Sequence, residues 1–84
     1  MHKNYVISRA QCRAARAMIE WSRQRLAEAA NVAERTLIDF ERGARQPYDR
    51  TLADIRRALE QAGIIFIDEN DEGPGVRQRK SGRE

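Results

Sequence analysis

The side chains able to do chemistry in these 84 residues are mostly charged, and few of them sit at catalytic spacings. Cys12 is the only cysteine, so no internal disulfide or multi-cysteine metal site can form. It lies among helix-forming residues with no obvious catalytic partner, which predicts a semi-buried structural thiol. His2 stands near a terminus with no second ligand nearby. No Ser/His/Asp or Cys/His arrangement occurs, and no phosphate-cradling glycine loop. The expectation is a non-enzyme with no cofactor and no metal. What remains is the chemistry of recognition, concentrated between residues 34 and 45. Arg35 can donate two hydrogen bonds to guanine O6 and N7, while Glu34 and Asp39 can accept from cytosine N4. Thr36 suits a phosphate or a thymine methyl. Arg23 and Gln24 suit phosphate.

Two short helices must position these groups. Ser22 reads as an N-cap, with Trp21 and Leu26 at the spacing of a hydrophobic staple. Leu26, Ala27 and Ala30 mark one apolar face. Asn31 tolerates the left-handed conformation that ends many helices. Val32 and Leu37 repeat the staple spacing around a start at Ala33. Leu37 and Phe40 then face inward, and Gly43 supplies a stop. That leaves Glu34, Arg35, Ile38 and Asp39 on or near the outer side. Arg23 and Gln24 open the earlier helix, where free N–H groups and the positive dipole end attract phosphate.

The stretch RQRLAEAANVAERTLIDFERGARQP resembles the core of the Cro/C1-type (XRE, lambda-repressor-like) helix-turn-helix regulators. The matching signals are Leu26-Ala27, the turn at Asn31-Val32, Thr36-Leu37 and Phe40-Glu41-Arg42-Gly43. Pro47 and Thr51-Leu52 continue the match, which covers residues 8 to 62. The resemblance implies a mainly all-α, four-helix helix-turn-helix domain that binds double-stranded DNA. Residues 34–42 would form the recognition helix. Glu34, Arg35 and Asp39 would approach bases in the major groove, and Arg42 and Arg45 would run along the backbone. An Arg at the position of Arg16 pairs in that family with a Glu at the position of Glu41, which would tie the first helix to the third. Two departures stand out: Ala33 replaces the usual Ser or Thr cap, and Asn31 the usual glycine. The missing cap should weaken that helix start by about 1 kcal/mol.

Around this unit, residues 1–7 read as an N-terminal arm, with Tyr5, Val6 and Ile7 packing on the domain edge. Ser8 and Gln11 fit a capping box for a first helix running to Glu20. Ala10, Ala14, Ala17, Met18 and Trp21 make a stripe expected to face the core. Asp49 is a reasonable N-cap for a fourth helix with the stripe Leu52, Ile55, Leu59 and Ala62, ended by Gly63. Arg56 and Arg57 lie off that stripe, which predicts solvated side chains. Residues 8–63 thus make the domain. Residues 64–77 read as a β-strand or hairpin, with Ile64 to Ile67 as the strand and Val76-Arg77 as a short return. Such a strand tends to pair, with its copy in a homodimer or by packing over the fourth helix. Residues 78–84 are expected to form a disordered basic tail.

Composition is permissive. The charge is +3, and residues 1–67 carry twelve Lys/Arg against eight Asp/Glu. This excess suits nucleic acid without demanding it. Residues 34–42, however, sum to −1, which is unusual for a DNA-reading helix and would also suit a protein partner with a basic surface. The alternative expectation is therefore a helix-turn-helix scaffold masking a transcription factor. No apolar run approaches the roughly 20 residues of a membrane span. With no signal peptide apparent, a cytoplasmic protein, nucleoid-associated when on DNA, is expected.

Overall fold

The computed structural model describes residues 6–68 and 72–80. His2 and Tyr5 of the expected arm, part of the turn after Asp68, and residues 81–84 of the expected tail lie outside the described residues. Four helices come first, α1 (Arg9–Ile19), α2 (Arg23–Ala30), α3 (Glu34–Glu41) and α4 (Asp49–Gln61). An antiparallel pair follows, β1 (Ile64–Ile67) and β2 (Gly75–Gln78), with Ile64 opposite Gln78 and Ile67 opposite Gly75. The fold is mainly helical with a short C-terminal hairpin.

Local chemistry explains the helix boundaries. Ser8 accepts from the Gln11 amide at 3.0 Å, and the Gln11 side chain accepts from the Ser8 N–H at 2.9 Å, closing the capping box. Ser22 caps α2 through the Arg25 N–H. Glu20 and Asn31 end α1 and α2 in the left-handed region, at φ 58° and 60°. Gly43 does the same after α3, and Gly63 after α4. Ala33 stands at the N-cap of α3 without a side-chain bond. At α4 the boundary differs from expectation. Tyr48 is the N-cap and Asp49 is the first helical residue, where its carboxylate still meets the positive end of the helix dipole.

The core joins Ile7, Cys12 and Ala15 to Leu26, Leu37, Phe40, Leu52, Ile55, Leu59, Ile64 and Phe66. The expected α1 stripe is out of phase with this core. Ala10, Ala14, Ala17 and Met18 are exposed and Trp21 is half-buried, whereas Gln11, Cys12 and Ala15 turn inward. Gln11 is buried because its amide donates to the carbonyls of Ile67, at 3.3 Å, and Gly75, at 3.0 Å, joining α1 to both strands. The α4 stripe holds, with Ala58 buried and Ala62 half-buried. Arg56 is not simply solvated. It bonds Glu60 at 2.9 Å and lies over the Phe66 ring at 5.1 Å. Arg57 is exposed and pairs with Asp54.

β1 packs on α4, and β2 packs on α1. The strand therefore finds a partner within its own chain. Gln78, expected in the tail, belongs to β2, and the Arg79 N–H extends the ladder to the Gly63 carbonyl at 2.6 Å. Among the described residues no helix is long and apolar enough to cross a membrane.

Candidate nucleic-acid interface

The α2–turn–α3 unit is built from the inside outward. Leu26 and Leu37 are fully buried, with Phe40 nearly so, and α2 packs against both α3 and α4. Only residues 31–33 separate the two helices. Asn31 reverses the chain there, its N–H bonded to the carbonyls of Ala27 and Glu28. With Leu37 and Phe40 holding α3 down, its other side is open, and Glu34 and Arg35 are exposed.

One buried carboxylate fixes the far end of α3. Glu41 is only 2% exposed. Arg16 reaches it from α1 in a two-pronged contact, Nη2 to Oε1 at 2.6 Å and Nε to Oε2 at 2.8 Å. The Cys12 thiol donates to Oε2 at 3.2 Å. Arg16 also bonds the Trp21 carbonyl at 3.0 Å, holding the α1–α2 turn. Arg13 donates to the Glu41 backbone carbonyl at 2.7 Å, satisfying a terminal acceptor of α3. Burial opposes ionisation of Glu41. The hydrogen bonds from Arg16 and Cys12, with the charges of Arg16 and Arg23, outweigh it and hold the carboxyl below its usual range. Burial pushes the Cys12 thiol well above its usual value, and the adjacent Glu41 carboxylate adds to the shift.

The remaining site residues fall into three groups. Arg23, at the start of α2, lies 3.7 Å from Glu41 with its side chain 47% exposed. It is tethered inward yet open to a ligand. Gln24 is exposed and shares a shallow groove with Ala27, Glu28, Asn31, Val32 and Glu34. On α3, Arg35 pairs with Asp39 one turn away at 3.1 Å, with side-chain exposures of 70% and 18%. Thr36 is half-buried beside them. Arg42, the C-cap of α3, and Arg45, in the following loop, are both exposed. Arg25, not far from Arg23, stacks on the Trp21 ring at 4.5 Å.

The acidity of α3 is largely compensated. Glu41 is neutralised internally and Asp39 by Arg35, so Glu34 alone lacks a counter-charge among the described residues. Glu34 also occupies the first turn of an uncapped helix, where a carboxylate offsets the positive dipole end by about 0.3–1 kcal/mol. Sequence reasoning missed the contacts of Cys12 and Arg13 with Glu41, and the placement of the Arg9 guanidinium against Gly43. Arg9, Arg13 and Arg16 recur at helical spacing beside α3, and that spacing was the available signal. No protein-family model matches the chain, and no curated protein gives a significant match.

Proposed function

We propose that this protein is a double-stranded DNA-binding transcriptional regulator that inserts α3 into the major groove. The observation carrying this reading is the α3 surface itself. Glu34 and Arg35 project to solvent from a helix whose opposite side, Leu37 and Phe40, is locked in the core. A tight turn and the Arg16–Glu41 pair make that helix rigid at both ends.

In this reading Arg35, Glu34 and Asp39 meet base edges. The Arg35–Asp39 contact is no obstacle. Arg35 itself is 70% exposed, and an ion pair one turn apart on a helix surface is worth about 0.3–0.5 kcal/mol, less than the roughly 1–3 kcal/mol of a bidentate arginine–guanine contact. Asp39 either releases Arg35 or steadies it against a guanine. Arg23, Gln24, Thr36, Arg42 and Arg45 take phosphates and set the docking register. A two-fold dimer would place two α3 helices about 34 Å apart, on half-sites one turn apart.

Fluorescence anisotropy on duplexes enriched from a random library tests the reading. Arg23→Ala should weaken all sequences alike and flatten the salt dependence, leaving base preference unchanged. Folded protein that shows no salt-sensitive duplex binding would contradict it. The second reading, a scaffold that docks a basic protein such as a transcription factor, draws on the uncompensated Glu34 and the pairing of Arg35. It predicts a protein complex that Glu34→Lys and Asp39→Lys abolish, with no duplex binding at any stage.

A further inference from the structure

We propose that Arg9 and Arg45 form a seat for one DNA backbone phosphate beyond the C-terminal end of α3, with Arg9 supplied by α1. The proposal rests on the DNA-binding reading for the source of the phosphate, but its geometry stands apart from the α2–α3 contacts. The two arginines line one shallow depression together with Phe40, Gly43 and Gln46. No carboxylate lines it. Phe40 forms an apolar wall, and the Gln46 amide adds a neutral donor.

Arg16, Arg23, Arg35, Arg56 and Arg57 each face a carboxylate. Arg13 bonds the Glu41 carbonyl, and Arg25 covers the Trp21 ring. The Arg9 and Arg45 side chains make no ion pair or hydrogen bond among the described residues, yet both line the same depression. Arg42, Arg50, Arg77 and Arg79 also lack a side-chain partner among the described residues, so what marks this place is that two such arginines line one depression. Two guanidinium groups sharing a hollow without an anion repel each other, and a phosphate bridging them removes that repulsion.

Gly43 makes the convergence feasible. Its φ of +79° favours glycine, and a Cβ there would run into the Arg9 guanidinium, with Arg9 Cζ at 2.7 Å. The bare backbone lets the Arg9 guanidinium come close to Gly43 just past the end of α3, where the helix dipole also favours a cation. A phosphate held there would lie beyond the α3 C-terminus, at the opposite end of α3 from its start beside Gln24.

The test is the salt dependence of duplex binding by Arg9→Gln, Arg9→Lys and a control, Arg57→Gln, on the full chain. The slope of log K against log salt should shrink by about 0.9, one phosphate, in Arg9→Gln. It should be largely restored in Arg9→Lys and unchanged in Arg57→Gln, with base preference constant throughout. If the wild type binds duplex and Arg9→Gln keeps the full slope, the seat is refuted and the DNA-binding reading survives. If the wild type binds no duplex, inorganic phosphate titrated against the arginine Nε–Hε NMR signals decides. Arg9 and Arg45 signals that move together, with the Arg45 response lost in Arg9→Gln, support the seat although the DNA-binding reading fails. No response at either arginine overturns it.

Discussion

Glu41 is the residue that ties α3 to α1 and to the start of α2. Arg16, Cys12 and Arg23 all point at its carboxylate, and Arg13 holds its backbone carbonyl. Glu41→Gln should cost about 3 kcal/mol in denaturant unfolding, because it leaves a largely buried guanidinium without its counter-charge. The pair also sets a pH dependence. The folded-state carboxyl titrates below its unfolded value, so its contribution is complete above the unfolded pKa and is lost as pH falls through the folded one. Unfolding measured from neutral pH downward should show stability decreasing below about pH 5, where unfolded glutamate begins to bind protons. Glu41→Gln should flatten that part of the curve. Cys12 is buried, with a thiol shifted upward, so a disulfide reagent should label it no faster than the protein opens. Prompt labelling of folded protein would contradict this placement. The Arg16–Glu41 partnership was visible through resemblance. The thiol's place beside it was not, since only the true phase of α1 brings Cys12 to Glu41.

At the scale of elements, what was legible was what is local. Ser8, Ser22, Asn31 and Gly43 do their work within a turn or so of themselves, and each sits where its chemistry requires. The face of α1 was misread for a physical reason. Alanine tolerates either side of a helix, and α1 has alanines on both, with Ala15 inside and Ala10, Ala14 and Ala17 outside. The residue that settles the phase, Gln11, is polar and is buried only because strand carbonyls 56 and 64 positions later satisfy its amide. No local pattern announces such a partner. The uncapped start of α3 offers a direct test. Ala33→Ser should supply the missing side-chain acceptor and stabilise the protein by about 1 kcal/mol, while Ser22→Ala should cost a similar amount. Thermal unfolding would resolve both, as a change of that size moves the midpoint of a small domain by about 4–8 °C. Ala33→Ser also leaves Glu34 and Arg35 untouched, so duplex affinity should stay level or rise.

At the scale of the whole molecule, the hairpin closes the core, with Ile64 and Phe66 buried beneath it and Gln11 bridging both strands. The short strand expected to seek a partner pairs with β2 in its own chain. The central claim is that α3 reads bases while its surroundings grip the backbone. The most direct measurement is selection from a randomised duplex library with wild type and Arg35→Ala in parallel, both shown to be folded. The wild type should enrich a motif, and Arg35→Ala should enrich one that has lost a defined base pair in each half-site. Folded wild type that enriches nothing, or a variant that enriches the same motif unchanged, would contradict the account.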